Sequence, residues 1–392
     1  MRTQVGIVGA GPAGLTLARL LEAAGIDSVV LEARSREYVE QRVRAGVLEQ
    51  GTVDCLRGAG VAGRLDREGL THGGVELLFD GRLHRIPLAE LAGGRSIVVY
   101  GQQEIVKDLI AARLESGLPL HFETAAGAVH GLEGDAPRIS YRQGGDGGEH
   151  GLECDFIAGC DGFHGICRAA MPEGTRAYTR DYPFAWLGIL ASVEPSTEEL
   201  IYAHHDRGFA LHSMRSPTVS RFYLQCEPDE DLGEWPDDRI WDELELRLAH
   251  DGGAPIRRGP IIEKGVTPMR SFVLEPMRHG RLFLAGDAAH IVPPTGAKGL
   301  NLAVADVRVL AAALADHYRS ADGAGLAGYS ETCLRRVWRA EHFSWWMTTM
   351  LHRFPGDDDF AQRLRLAQLR YVCSSRAAAT TLAENYVGLE TV

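Results

Sequence analysis

The sequence predicts an α/β protein, α+β by some schemes, in which a parallel-strand βαβ unit carries an inserted β-sheet lobe and ends in helices. Three observations predict it. The chain opens on an apolar strand that runs into a glycine turn and an amphipathic helix. A second apolar strand, ending in Gly286-Asp287, leads into another glycine-rich loop and a long helix. Between them, residues from about 181 to 267 alternate apolar and polar positions at strand spacing.

The opening unit is Val5-Gly6-Ile7-Val8 followed by Gly9-x-Gly11-x-x-Gly14, a helix marked by Leu15, Leu17, Ala18, Leu20 and Leu21, and a strand from Ser28 to Leu31 that ends in Glu32. This is a Rossmann-like βαβ fingerprint in its full setting. Gly9 permits the tight turn, Gly11 lets the backbone approach a pyrophosphate, and Gly14 lets helix and strand pack closely. The helix N-terminus supplies free N–H groups to phosphates, and Glu32 stands where a carboxylate accepts from an adenosine ribose. The unit therefore predicts an adenine dinucleotide site.

Beyond it, Arg34 and Arg36 read as a solvated helix face, while Arg42 and Arg44 stand before a small-residue turn where arginines can meet phosphates. His72 reads as a loop residue. Val75–Phe79 and Leu83–Ile86 flank Asp80-Gly81 as a hairpin. Ile97 to Gln102 lead into a helix over 104–115, and glycine-rich turns from 118 to 153 mark an antiparallel meander. That meander ends in a strand delivering Asp161-Gly162, then His164 and Arg168, a second cofactor contact.

Within 181–267, runs 185–193, 209–214 and 220–225 read as strands and 237–248 as a helix. Ser213 and Arg215, two apart on one strand, face the same side and can clamp a carboxylate, with Arg221 after the turn. In Gly286-Asp287 the carboxylate can hold a ribityl hydroxyl. The loop Pro293-Pro294-Thr295-Gly296-Ala297-Lys298-Gly299-Leu300-Asn301 then opens a helix to about Tyr318. Trp338, Trp345, Trp346 and Met347 read as core or interface, and Tyr386 as a packing residue able to carry a hydroxyl back to a site.

A net charge of −12 argues against nucleic acid or an acidic membrane surface as partner. No run is long and apolar enough to span a membrane, and the opening strand leaves no room for a leader. Seven cysteines without a C-x-x-C pair suggest neither zinc nor a disulfide framework. The expected setting is the reducing cytoplasm.

Gly9-x-Gly11-x-x-Gly14, Asp161-Gly162 and Gly286-Asp287, in this order, resemble the single-component flavoprotein aromatic hydroxylases, and the resemblance covers essentially the whole chain. It is most specific in 42–50, 159–165, 202–215, 293–301 and 384–389. It implies tightly bound FAD, NADPH and/or NADH as co-substrate without a nucleotide domain of its own, O2 as oxidant, and a homodimer. It further implies an FAD-binding domain over 1–180, a substrate-binding sheet lobe over 181–267, a return to the FAD domain over 268–350, and a helical segment over 351–392 that closes the active site. The implied reaction is 3-hydroxylation of 4-hydroxybenzoate, with a related 4-substituted benzoate such as an aminobenzoate, or a non-catalytic FAD-binding redox role, as alternatives. Carried over by residue, Arg215 pairs with the substrate carboxylate, helped by Ser213 and Tyr223. Tyr202 meets the 4-hydroxyl, Tyr386 and His72 continue a proton path, and the Pro294 carbonyl lies near the reacting ring. Trp186, Leu200 and Leu211 are apolar walls. Gln102, Arg44, Arg221, Leu300 and Asn301 contact or steer the flavin, and His164, Arg168, Arg270 and Arg44 meet the nicotinamide nucleotide.

Overall fold

Arg2–Val8 lies inside the first sheet, parallel to Ser28–Leu31 on one side and to Glu149–Gly159 on the other. Its apolar run is continuous rather than alternating because both faces are covered, and Val5 and Ile7 are fully buried. The helix Pro12–Ala23 packs on Gln102–Glu115 and on the long helix Gly299–Ser320. The sheet runs outward through Leu282–Leu284, which is parallel to Glu149–Gly159 and delivers the Gly286 turn to the same sheet end as Gly9. Thr124–His130, Arg138–Gln143 and Glu149–Gly159 form the antiparallel meander. The computed structural model describes residues 1–42, 46–144 and 148–388.

A second, eight-stranded sheet contains Arg176–Ala191, Ile201–Ala203, Ala210–Ser216, Val219–Cys226 and Ile261–Glu275. Its two faces are distinct, as period-two alternation requires. One face, with Leu187, Ile189, Ala210, Phe222 and Leu224, packs on Trp241, Leu244 and Leu248 of the helix Asp237–Leu248. The other, with Trp186, Tyr202, Phe209 and Leu211, packs on the C-terminal helices Tyr329–Leu351 and Arg376–Val387. Two of the C-terminal helices begin at side-chain caps: Ser375 accepts from the Ala378 N–H at the start of Arg376–Val387, and Asp358 accepts from the Ala361 N–H at the start of Asp359–Ser374.

Two expectations change. The hairpin forms, Val75–Phe79 against Arg82–Ile86 through the left-handed pair Asp80-Gly81, but it belongs to the second sheet. Its first strand lies parallel to Ile201–Ala203, so this part of residues 1–180 is built into the sheet of residues 181–267. His72 is no loop residue. It ends the strand Leu70–His72, pairs with Ile97 and is buried; three residues between glycines are too few to show alternation. Of the tryptophans, Trp338 and Trp345 stand exposed while Met347 is fully buried.

Candidate active site

The glycine turn is built as its chemistry demands. Gly9 has φ +101°, and a Cβ there would lie 2.4 Å from the Cys160 carbonyl oxygen. A Cβ on Gly14 would lie 2.0 Å from the Gly9 carbonyl oxygen, which explains the close packing of helix on turn. A Cβ on Gly11 would meet nothing within 4 Å. The backbone is therefore open at the position where a pyrophosphate approaches, at the mouth of a helix capped by no side chain. Glu32 accepts from the Ala10 N–H at 2.8 Å and from the Arg34 N–H at 2.8 Å, so it braces the turn and keeps lone pairs for a ribose. Arg34 and Arg36 are exposed on the surface, the first over Tyr38 and the second on Glu40. Arg42 is exposed, and Arg44 lies outside the described residues.

Asp161 accepts from the Cys167 N–H at 2.9 Å through one oxygen, while its other oxygen is buried without a partner among the described residues. Burial raises its pKa, against the hydrogen bonds from Cys167. Asp287 stands exposed on the turn Gly286–Ala288. An open glycine, an orphaned buried carboxylate oxygen and an exposed carboxylate, at the ends of adjacent parallel strands, fit the pyrophosphate and polyol of FAD. Gln102 is half-buried at the start of its helix. Leu300 lies in the first turn of Gly299–Ser320, where backbone N–H groups have no intrahelical acceptor. The Asn301 amide is already occupied: it accepts from the Glu49 N–H and the Thr52 hydroxyl and donates to the Val47 and Ala297 carbonyls. Asn301 therefore offers a ligand its backbone.

His164, Arg168 and Arg270 gather around one ring. The Arg168 guanidinium lies 4.0 Å from the Phe163 centroid and the Arg270 guanidinium 5.1 Å from it, with His164 packed at 5.1 Å. His164 is exposed, and one Arg168 nitrogen is buried without a partner among the described residues.

Strand register assembles the remaining residues. Tyr202 pairs with Leu211, Leu211 with Tyr223, Ser213 with Arg221, and Gly188 with Tyr223. Paired and two-apart residues share a face, so Trp186, Tyr202, Leu211, Ser213, Arg221 and Tyr223 all point to one side. A Cβ at Gly188 would lie 2.7 Å from the Arg221 guanidinium, so glycine there makes its room. Arg215 donates to the Met214 carbonyl at 3.1 Å, but its Nε is buried without a partner among the described residues. Burial lowers its pKa, opposed by neighbouring Tyr223. Arg221 likewise has two buried nitrogens without partners among the described residues. Leu200 is fully enclosed beside this face. The Tyr202 and Tyr386 hydroxyls hydrogen-bond to each other, both buried, and burial pushes both pKa values up. His72 is buried, its Nε2 has no partner among the described residues, and desolvation lowers its pKa. Pro294 is exposed on the turn Pro294–Gly296.

Two buried charge pairs escape a reading of the sequence. Lys298 donates to Glu49 at 2.6 Å and to the Tyr386 carbonyl at 3.0 Å, and Arg336 closes on the second Glu49 oxygen at 2.6 Å. This network anchors the backbone of Tyr386 to the 293–301 loop. His290 meets Asp306 at 2.6 Å, and the same Asp306 oxygen accepts from the Gly286 N–H at 2.9 Å, holding the Asp287 turn from behind. The available signal was a lysine, and a histidine, inside otherwise apolar or glycine-rich runs.

Comparison with known proteins adds a family. The profile described as FAD binding domain matches residues 2–344. The chain is 50% identical over 390 residues to p-hydroxybenzoate hydroxylase of Acinetobacter baylyi, covering 99% of this chain and 96% of that one. It is 28% identical over 336 residues to 3-(3-hydroxy-phenyl)propionate/3-hydroxycinnamic acid hydroxylase of Mycobacterium avium, covering 78% of this chain and 53% of that one. Among solved structures, p-nitrophenol 4-monooxygenase of Pseudomonas putida superposes with a TM-score of 0.84 at 19% identity, covering 100% of both chains.

Proposed function

Because the chain belongs to the FAD binding domain family, we propose that it is an FAD-dependent monooxygenase hydroxylating 4-hydroxybenzoate at C3 to 3,4-dihydroxybenzoate, with NADPH or NADH as reductant and O2 as oxidant. One observation carries the substrate assignment: the buried Tyr202 hydroxyl, bonded to that of Tyr386, lies on the sheet that carries Arg215, whose buried Nε lacks a partner among the described residues. Such an arrangement suits a molecule with a phenol at one end and a carboxylate at the other.

Bound FAD supplies two-electron reduction by the nicotinamide nucleotide and transfer of one atom of O2 to the ring. Gly9, Gly11, Gly14 and Glu32 would hold its adenosine diphosphate, Asp161 and Asp287 its polyol, and Gln102, Arg221, Leu300 and Asn301 its ring end. His164, Arg168 and Arg270 would receive the nicotinamide nucleotide, and Arg42 would meet phosphate. Arg215 takes the substrate carboxylate, with Ser213 and Tyr223 beside it, and so replaces the solvation that burial removes. The 4-hydroxyl then falls to Tyr202. Electrophilic oxygen transfer needs an electron-rich ring, so the phenol proton must leave. Burial keeps both Tyr202 and Tyr386 un-ionised at neutral pH, so the pair passes a proton along its hydrogen bond rather than storing charge. His72, kept neutral by burial, can accept that proton. The Pro294 carbonyl borders the reacting position, while Trp186, Leu200 and Leu211 exclude water that would divert the oxidant.

The same reading takes the enzyme as a cytoplasmic homodimer, with exposed Trp345 as a contact; light scattering at twice the chain mass checks it. The test of function is nicotinamide oxidation and O2 uptake, with NADH and with NADPH, with and without 4-hydroxybenzoate and 4-aminobenzoate, followed by product identification. Stimulation by 4-hydroxybenzoate with 3,4-dihydroxybenzoate as product is expected. Absence of stimulation, or peroxide as sole product, overturns the proposal.

A further inference from the structure

The last turn of Tyr329–Leu351 and the residue after it form a joint between three elements of the proposed pocket. His352 is fully buried. Its Nε2 lies 2.7 Å from the Trp186 indole nitrogen, and its Nδ1 lies 3.0 Å from the Thr348 carbonyl oxygen. An indole N–H only donates and a carbonyl only accepts, so one arrangement satisfies both contacts: neutral imidazole with the proton on Nδ1 and the lone pair on Nε2. The ring is stacked on Phe184 at 4.7 Å and on Phe209 at 4.3 Å, which removes its freedom to turn. Thr348 in turn shares a hydrogen bond at 2.9 Å between its hydroxyl and that of Thr295, inside the Pro294 turn. The neighbouring Leu351 carbonyl lies 3.0 Å from Nδ1 of His204, which follows the Tyr202 strand. Trp186 meanwhile packs at 4.8 Å on Tyr223, beside Arg215.

We propose that His352 is a positioning residue for substrate recognition: by accepting the Trp186 indole N–H it fixes the aromatic wall of the pocket and ties that wall, through Thr348 and Thr295, to the Pro294 turn. The proposal rests on the reading of this face as the 4-hydroxybenzoate site. The wall is a wide indole held by a single hydrogen bond at its far edge. Losing that acceptor leaves a buried donor unsatisfied on an indole that also stacks on Phe209 at 5.0 Å, which favours a shift of the ring from its position beside Tyr223.

The test compares wild-type enzyme with His352→Phe, His352→Gln, Trp186→Phe and the Trp186→Phe/His352→Phe double variant in steady-state turnover of 4-hydroxybenzoate. His352→Phe keeps a stacked ring but no acceptor, and should raise KM about tenfold with kcat changed less than about twofold. His352→Gln, whose carbonyl can still accept, should recover most of the loss. In the Trp186→Phe background, where no N–H remains, His352→Phe should change KM less than about twofold, because the two positions act through one bond. Should His352→Phe fail to fold, His352→Asn, which still reaches Thr348 but falls short of the indole, must show the same KM rise. An unchanged KM in these variants, or an effect of equal size with and without the indole, overturns the inference. A wild-type enzyme not stimulated by 4-hydroxybenzoate overturns instead the function on which the inference stands.

Discussion

Replacing Arg215 by alanine should damage binding and leave folding intact. The side chain is partly buried, its Nε is buried without a partner among the described residues, and desolvation lowers its pKa. In the free protein it is therefore a cost, and its removal should leave the urea midpoint unchanged or raised. With substrate bound the balance reverses. A carboxylate accepting two parallel N–H bonds from this fork is a buried ion pair, and breaking such a pair from one side costs about 3–5 kcal/mol. Water entering the space left by the side chain offsets part of that cost, so a net loss of about 2–4 kcal/mol is expected. At about 1.4 kcal/mol per tenfold, KM for 4-hydroxybenzoate rises between about 30- and 1,000-fold. Initial rates of O2 uptake measure it. The control is 4-hydroxybenzamide, which keeps the shape and lacks the charge: its binding should fall far less, so the variant loses discrimination between acid and amide. A KM within about threefold of wild type, or an equal loss for the amide, refutes the argument.

Tyr386→Phe should act on the chemical step: Tyr202 loses its hydroxyl partner, hydroxylation slows by about 100-fold and more reducing equivalents end as peroxide, while KM moves less than about threefold. A KM effect as large as that of Arg215→Ala contradicts the division of roles. Gly11→Val should fold, since a Cβ there touches no protein atom, yet purify without its flavin; retention of full visible absorbance would remove the glycine turn from the site. His352 predicts a pH dependence of stability. Burial pushes its pKa down to about 3, so between that value and the ordinary 6.5 the unfolded chain binds a proton the folded chain does not, and stability is lost as pH falls. From pH 7 to pH 5 this histidine should account for about 2 kcal/mol of that loss. His352→Phe should therefore show a pH 7-to-5 drop in unfolding free energy smaller by that amount, and equal drops would exclude a buried neutral imidazole.

What could be read from the chain follows from how far apart the cooperating residues lie. The glycine turn is legible because its constraints fall within one βαβ unit: Gly9 needs its positive φ, Gly14 its bare Cα against Gly9, and Glu32 closes on Ala10. The Ser213–Arg215 face is legible for the same local reason, two residues apart on one strand. The partner that completes it is not local. Tyr386 reaches Tyr202 across 184 residues, and without the resemblance that named it, it is one more buried aromatic on an amphipathic helix. The hairpin at Asp80-Gly81 shows its turn but not its sheet, because parallel pairing with Ile201–Ala203 is a tertiary choice that alternation within the hairpin does not encode.

Polar residues that hold other residues in place are the hardest to see. Lys298, Asp306 and His352 each occupy a helix, or its end, where the pattern calls for an apolar or a solvated side chain, and each is instead buried with its hydrogen bonds aimed at a functional neighbour: the Tyr386 carbonyl, the Gly286 N–H and the Trp186 indole. A buried polar group without a partner is expensive, so each such residue fixes the geometry of whatever satisfies it. Within the proposed site, two kinds of buried polar atom have opposite meanings. The satisfied ones, such as His352 and Asp306, maintain the shape of the pocket. Arg215, Arg221, Arg168, His72 and Asp161, which carry buried atoms without partners among the described residues, are among the residues assigned to substrate, cofactor and the departing proton. Variants of the first kind should therefore alter recognition or stability through a neighbour. Variants of the second kind should relieve the free protein of a desolvation cost and show their losses only when ligand is present.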